Sequence, residues 1–244
     1  MRKLRIDAIL IERGFASTEK DAFLLVTEGR VFVNGQKAVS PAQMARFADA
    51  IEVHAAREFV GRGAYKLEAA VDKFGIDVRD KICADIGSAT GGFAEVLLKH
   101  GAKKVYAIAA GRGKLDLKLR EDPRVVVMEG VNILSIDALP EPVDLVTIDV
   151  SFTSLRLVLP KIRPWLLPQS AVIVLFKPQY EVGDKSLLKH GVVVDEAVRA
   201  KALADFRAWL GEHNWQERGF IESPIRGSKG NVEYLAYLAV NGIY

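Results

Sequence analysis

Cysteine is almost absent: Cys83 is the single one in 244 residues. One thiol excludes an internal disulfide and a cysteine-built metal cluster. The four histidines (His54, His100, His190, His213) show no ligand spacing, so no metal site is expected. No window approaches the roughly 18 consecutive apolar residues that a membrane helix needs. Met1-Arg-Lys leads into a mixed segment rather than an apolar signal core. A cytoplasmic address with no membrane partner is therefore expected. Internal repeats and low-complexity tracts are missing too, which excludes repeat architectures. Charge of one sign is scarce: 34 Lys+Arg face 31 Asp+Glu, a net of +3. That balance is compatible with a polyanion partner without demanding one. What is present is apolar material, half of the chain, enough for a packed core.

Residues 1–56 read as a unit of their own. Arg5 to Arg13 has helical spacing, with Ile6, Ile9 and Leu10 on one face. Ser17 or Thr18 caps a second helix carrying Ala22, Leu25 and Val26, which Glu28-Gly29 closes. Asn34-Gly35 between alternating apolar residues predicts a hairpin, and Ile51-Glu-Val53 a further strand. Residues 57–60 read as a linker. From residue 61 to 244 strands and helices alternate, which implies parallel βαβ units. Strands are expected at 82–86, 104–109, 124–128, 143–149, 170–176, 218–223 and 233–240, and helices at 64–75, 91–100, 113–121, 152–165 and 194–213.

Two sets of residues carry chemistry. Asp85-Ile-Gly-Ser-Ala-Thr-Gly-Gly-Phe93 follows a strand and opens a helix, so its glycines allow close backbone approach and its helix N–H groups offer donors. The spacing is neither that of dinucleotide loops nor of Walker loops. Separately, Lys66, Asp149, Lys177 and Glu233 lie at strand ends or loop edges, where open α/β sheets bind ligands. Lys177 ends a wholly apolar strand, Ala171 to Phe176.

These features resemble known families. Leu4-Arg5-Ile6-Asp7, the Ser17-Thr18 cap and Glu28-Gly-Arg-Val-Phe-Val-Asn-Gly35 resemble the S4-like RNA-binding domain. That resemblance implies phosphate contacts from Arg2, Lys3, Arg5, Lys20, Arg30 and Lys37, provided these cations share a face. Residues 57–240 resemble the FtsJ-like ribose 2′-O-methyltransferases, and the whole chain resembles the TlyA family, some of whose members are labelled hemolysins. The implied fold is α/β: a Rossmann-like SAM-dependent methyltransferase with a small N-terminal α+β S4-like domain, its last strand inserted antiparallel. The implied cofactor is S-adenosyl-L-methionine, held by Asp85 (accepting from the methionine amino group), Gly87, Ser88, Gly91, Gly92, Phe93 and, toward the adenine, Asn132.

The implied tetrad is Lys66, Asp149, Lys177 and Glu233. Lys177 would be the base, acting as a neutral amine, with the two carboxylates orienting the lysines. The implied substrate is a ribosomal RNA within a ribosomal subunit, at a cytidine ribose of 16S or 23S rRNA, and the enzyme is expected to be a monomer. The chain departs from the family at the end of the second strand, where Ile108-Ala109-Ala110-Gly111 replaces a Val-Asp-Val-Gly pattern. Losing that ribose-binding acid costs about 1.5–3 kcal/mol of affinity, unless Asp116 or a water substitutes. The alternative to an active enzyme is a non-catalytic RNA- or ribosome-binding protein with a weakened cofactor site. A membrane-active hemolysin has no spanning segment to support it.

Overall fold

The computed structural model describes residues 3–54 and 58–240. Arg2, among the expected phosphate contacts, lies outside them, as does Arg57 of the expected linker. The chain divides into two compact units, Met1–Glu58 and Phe59–Tyr244. No described helix is long and apolar enough to cross a membrane.

In the first unit, β1 (Lys3–Arg5) leads into α1 (Ile6–Glu12), and α2 (Glu19–Thr27) follows. Ile6, Ile9 and Leu10 are wholly buried against Ala22, Leu25 and Val26. Thr18 is the cap, accepting the Asp21 N–H at 3.1 Å. β2 (Val31–Val33) and β3 (Gln36–Lys37) form the expected hairpin, Asn34 and Gly35 turning at φ 50° and 77°. β4 (Met44–Arg46) pairs with β1, a ribbon the sequence pattern does not announce, and β5 (Ile51–Val53) pairs with β2. β1 and β4 are three residues each and expose alternate side chains, so neither carries a strong strand signal.

The second unit begins inside its own core. Phe59, which composition assigns to a linker, is only 2% exposed and packs with Leu67, Phe93 and Leu97. The elements then run α3 (Ala64–Phe74), β6 (Ile82–Ile86), α4 (Gly92–Lys99), β7 (Lys104–Ala109), α5 (Leu117–Arg120), β8 (Val125–Glu129), β9 (Val143–Ile148), α6 (Leu155–Ile162), β10 (Leu166–Phe176), α7 (Pro178–Glu181), α8 (Glu196–Glu212), β11 (Trp215–Glu222) and β12 (Tyr234–Val240). Seven strands form one sheet in the order β11-β12-β10-β9-β6-β7-β8.

Strand periodicity sorts the core onto two faces. Ala84, Ile86, Tyr106, Ile108, Val172 and Val174 point toward α6 and α8. Cys83, Val105, Ala107, Ile173 and Leu175 point toward α3 and α4. Cys83 is wholly buried and its thiol is pushed up to about 12 by burial, which leaves it inert.

Two topological facts position the site. From β6 the chain winds outward through β7 and β8, then returns to place β9 on the other side of β6. The ends of β6 and β9 therefore flank a switch-point crevice. β12 is antiparallel to both β10 and β11, with Tyr234 opposite Phe176. An antiparallel strand starts where its neighbour β10 ends, so Glu233, just before β12, lies at the same sheet edge as Lys177, just after β10.

Candidate active site

Gly87 follows β6, and a side chain there would meet the Asp149 carbonyl at 2.2 Å. The Asp149 N–H donates to the Ile86 carbonyl at 2.8 Å. The glycine loop and the Asp149 turn are thus bound edge to edge at the switch point. Lys177 Nζ reaches across to Asp149 Oδ1 at 2.6 Å, and donates to the Val150 carbonyl at 2.9 Å and Ser151 Oγ at 3.3 Å. Lys66, in the first turn of α3, pairs with Glu233 Oε2 at 2.5 Å. Lys66 and Lys177 are each 8% exposed and Glu233 3%. All four side chains line one cleft of about 630 Å³. Phe152, at φ 64°, and Tyr180 stand at the same cleft with ring centroids 5.2 Å apart.

The loop residues divide differently from the sequence expectation. Asp85 has no exposed surface; Oδ2 accepts the Ala94 N–H at 3.1 Å and Oδ1 accepts from Thr147 Oγ1 at 2.9 Å. Burial pushes its carboxyl up to about 7, with Asp149 adding to the rise. Asp85 thus holds the loop onto α4 and β9 from within, each of its carboxylate oxygens engaged by the protein.

Gly91 (φ 95°) has no room for a side chain because Leu119 and Leu115 would lie 2.2 and 2.8 Å from it. A side chain at Gly92 would meet the Ala64 nitrogen at 2.9 Å. Phe93 is buried in the core. These three are packed from beneath by Leu115, Leu119, Ala64 and the core. Ser88 does fit a ligand: its hydroxyl is buried and has no hydrogen-bond partner, beside exposed Ala89 and Thr90. An unpaired buried hydroxyl in a loop at the switch point fits a polar cofactor head.

On the far side, Ala109 ends β7 opposite Glu129 of β8. Glu129 accepts the N–H groups of Gly113, Lys114 and Leu115 and a 2.8 Å bond from Arg120. Arg120 first, then those N–H groups, hold its carboxyl down at about 2. This nest explains why α5 is a single turn, shorter than the expected 113–121. Asn132 is exposed and caps the next turn, accepting the Leu134 N–H at 3.0 Å. Glu181 ties α7 to α6, accepting from Ser154 Oγ and the Leu155 N–H, both at 2.7 Å; burial raises its carboxyl.

In the first unit, Lys3 lies in register with Arg46, and exposed Arg5 pairs with Asp7 at 2.5 Å. Arg30 donates to the His54 carbonyl at 2.9 Å and pairs with Glu28. Lys37 lies over Gly29, and Lys20 is exposed on α2. Lys3 and Arg5 share one ribbon, while Arg30 and Lys37 sit at the hairpin. Thr147, Ser151, Glu129 and Glu181 escape sequence reasoning because their partners are distant in the chain. Gln179 had one signal, its place in Lys177-Pro-Gln after an apolar strand.

The FtsJ-like methyltransferase family matches residues 59–240, and the S4 domain matches residues 4–51. The 16S/23S rRNA (cytidine-2′-O)-methyltransferase TlyA of Mycobacterium tuberculosis is 40% identical over 97% of this chain and 90% of its own. Hemolysin A of Brachyspira hyodysenteriae is 38% identical over 97% of this chain and all of its own. A Streptococcus thermophilus structure bearing a provisional hemolysin name superposes with a TM-score of 0.74 at 34% identity, covering 99% of this chain and 90% of that one. With an S4 domain ahead of an FtsJ-like domain and relatives alike over nearly its whole length, the chain belongs to the TlyA branch of the FtsJ-like methyltransferases.

Proposed function

We propose that the protein transfers a methyl group from S-adenosylmethionine to a ribose 2′-hydroxyl of ribosomal RNA, the activity carried in the name of the Mycobacterium tuberculosis relative. The observation that carries this reading is the pair of ion pairs, Lys66–Glu233 and Lys177–Asp149, opening on one cleft beside the glycine loop. Bound S-adenosylmethionine supplies an electrophilic methyl on a sulfonium. Ser88 and the exposed backbone at Ala89 and Thr90 would hold its polar end, with Asn132 toward the adenine. Gly87, Gly91, Gly92, Phe93 and Asp85 would shape the loop from beneath.

A ribose hydroxyl is a poor nucleophile, so it must be aligned and relieved of its proton. Asp149, Val150 and Ser151 fix the Lys177 amine in one position; to act as the base it first passes one proton to Asp149, its ion-pair partner, and then takes the hydroxyl proton. Glu233 fixes Lys66, whose ammonium donates to the same oxygen as charge develops there. The protonation states belong to the four groups together rather than to any one. Lys3, Arg5, Lys20, Arg30 and Lys37 would take phosphates of the RNA, a sequence-independent and salt-sensitive contribution.

The test uses ribosomal subunits from cells lacking the protein, the purified protein and methyl-labelled S-adenosylmethionine, followed by mapping of 2′-O-methyls. One or a few labelled ribose positions are expected. Label on a base, or no label with either subunit, refutes the reading.

A further inference from the structure

Charge at the tetrad cleft does not balance. The cations lining it are Arg62, Lys66, Lys177, Lys185, Arg226 and Lys229. The acids lining it are Asp149 and Glu233, and ion pairs with Lys177 and Lys66 occupy both. Lys185 turns its amine onto the Gln179 and Val182 carbonyls, each at 3.2 Å. Arg62, Arg226 and Lys229 are left, all exposed. Arg62 donates to the Arg226 carbonyl at 3.4 Å. Among the described residues, the side chains of Arg226 and Lys229 have neither an ion pair nor a hydrogen bond. A chain whose net charge is only +3 thus gathers uncompensated cations at one cleft.

The segment that carries Arg226 and Lys229 is braced. Ser223 Oγ donates to the Ile225 carbonyl at 2.7 Å. The Gly227 N–H donates to the Asn231 carbonyl at 2.9 Å, and the Gly230 N–H to the Gly227 carbonyl at 2.8 Å. Asn231, 3% exposed, ties this turn to the facing loop through the Val193 N–H and the Gly191 carbonyl. A side chain at Gly227 would meet Glu233 Oε1 at 2.4 Å, so the turn lies against the Lys66–Glu233 pair. Cations held on a braced turn beside the reacting groups suit an anion that comes with the substrate.

Under the ribose-methylation reading, RNA brings that anion. A phosphodiester adjoins each ribose, and its free oxygens accept charge-assisted hydrogen bonds from Arg and Lys. Contacts of this kind fix register without reading the base. We propose that Arg62, Arg226 and Lys229 clamp one phosphate adjoining the target ribose, and so set the register in which its 2′-hydroxyl meets Lys177. The assignment rests on the proposed function above. The carboxylate of S-adenosylmethionine presents similar anionic chemistry, and the test separates the two.

The experiment measures methyl transfer by the full-length chain to ribosomal subunits from cells lacking the protein, over a range of salt. The double variant Arg226→Gln, Lys229→Gln should lower kcat/KM about tenfold or more. It should also make the slope of log kcat/KM against log salt shallower by about 1, the loss of one phosphate contact. The charge-keeping pair Arg226→Lys, Lys229→Arg should retain the wild-type slope. Lys201→Gln removes an exposed charge, paired with Asp205, that does not line the cleft, and should leave the slope alone. Calorimetry with S-adenosylmethionine, without RNA, should be unchanged in every variant.

Wild-type kcat/KM and slope in the double Gln variant overturn the assignment. A fall in kcat/KM with the slope unchanged marks a structural role and overturns it. An equal change of slope in Lys201→Gln marks bulk charge and does the same. Lost S-adenosylmethionine affinity in the double Gln variant assigns the cations to the cofactor carboxylate, and also overturns it. Should circular dichroism show that the double variant does not fold, an unchanged slope in Lys229→Gln overturns the clamp equally. Absence of transfer by the wild type removes the ribose-methylation reading. Cosedimentation with the subunits then reads the same slope, and equal slopes for wild type and variant remove the clamp as well.

Discussion

Replacing Asp85 by Asn should flatten one part of the protein's pH–stability profile. Asp85 is wholly enclosed and its carboxyl stands at about 7, against 3.8 for an ordinary one. Below pH 4 the group is protonated in both folded and unfolded chains and contributes nothing to the balance. Between about pH 4 and 7 the unfolded chain ionises while the folded chain keeps its proton, so stability falls as pH rises. Above about pH 7 both forms are ionised and the loss levels off near 4 kcal/mol, three units at 1.36 kcal/mol each. Integrated from pH 5 to pH 8, the site removes about 2.5 kcal/mol. Asn at this position can still accept the Ala94 N–H and donate to Thr147 Oγ1, so the loop should survive the change. Urea unfolding followed by tryptophan fluorescence is the assay, because Trp165, Trp209 and Trp215 all lie in the second unit. The wild type should lose about 2.5 kcal/mol more than Asp85→Asn between those pH values. Parallel pH profiles for the two proteins would refute the enclosure of an ionisable group at this point.

Lys177→Ala or Lys66→Ala should abolish methyl transfer while leaving circular dichroism and S-adenosylmethionine affinity nearly unchanged; wild-type transfer by Lys177→Ala would exclude it as the base. Ala109→Asp should tighten S-adenosylmethionine binding about tenfold or more in calorimetry, the worth of a charge-assisted bond to a ribose hydroxyl; unchanged affinity would mean the nucleoside is not held at this strand end. Gly227→Ala would place a methyl 2.4 Å from Glu233 Oε1, and only a side-chain end need move. Thermal stability should therefore change little while kcat falls about tenfold or more through displacement of the Lys66 partner; an unaltered kcat would show that the Glu233 position is not critical.

The parts of the fold that local pattern controls were legible. Ile82–Ile86 and Lys104–Ala109 are apolar runs bounded by turn residues, and both are strands at the expected positions. Asn34-Gly35 turns a hairpin because both residues tolerate positive φ. Asp149 and Lys177 each follow an apolar strand, which puts them at the sheet edge, and Lys66 and Glu233 line the same cleft. Other features depend on distant partners. Glycines at 91 and 92 announce close approach but not by what, and Leu119 and Ala64 are the protein groups nearest to them. Asp85 looks the same in sequence whether it faces a cleft or Thr147. A helix is expected from residue 113, but Glu129 draws the N–H groups of Gly113, Lys114 and Leu115 out of one. Phe59 sits among linker-like neighbours, and only the α3–α4 core shows that packing starts there.

The antiparallel entry of β12 also has a consequence in time. Lys66 and its partner Glu233 are 167 residues apart, and Glu233 reaches the cleft only when its strand slides between β10 and β11. Contacts of such separation form late, after the closure entropy of the intervening chain has been overcome. A chain emerging from a ribosome thus carries the glycine loop, Lys66, Asp149 and Lys177 well before it can complete the constellation. A partly made copy therefore lacks the carboxylate that pairs with Lys66.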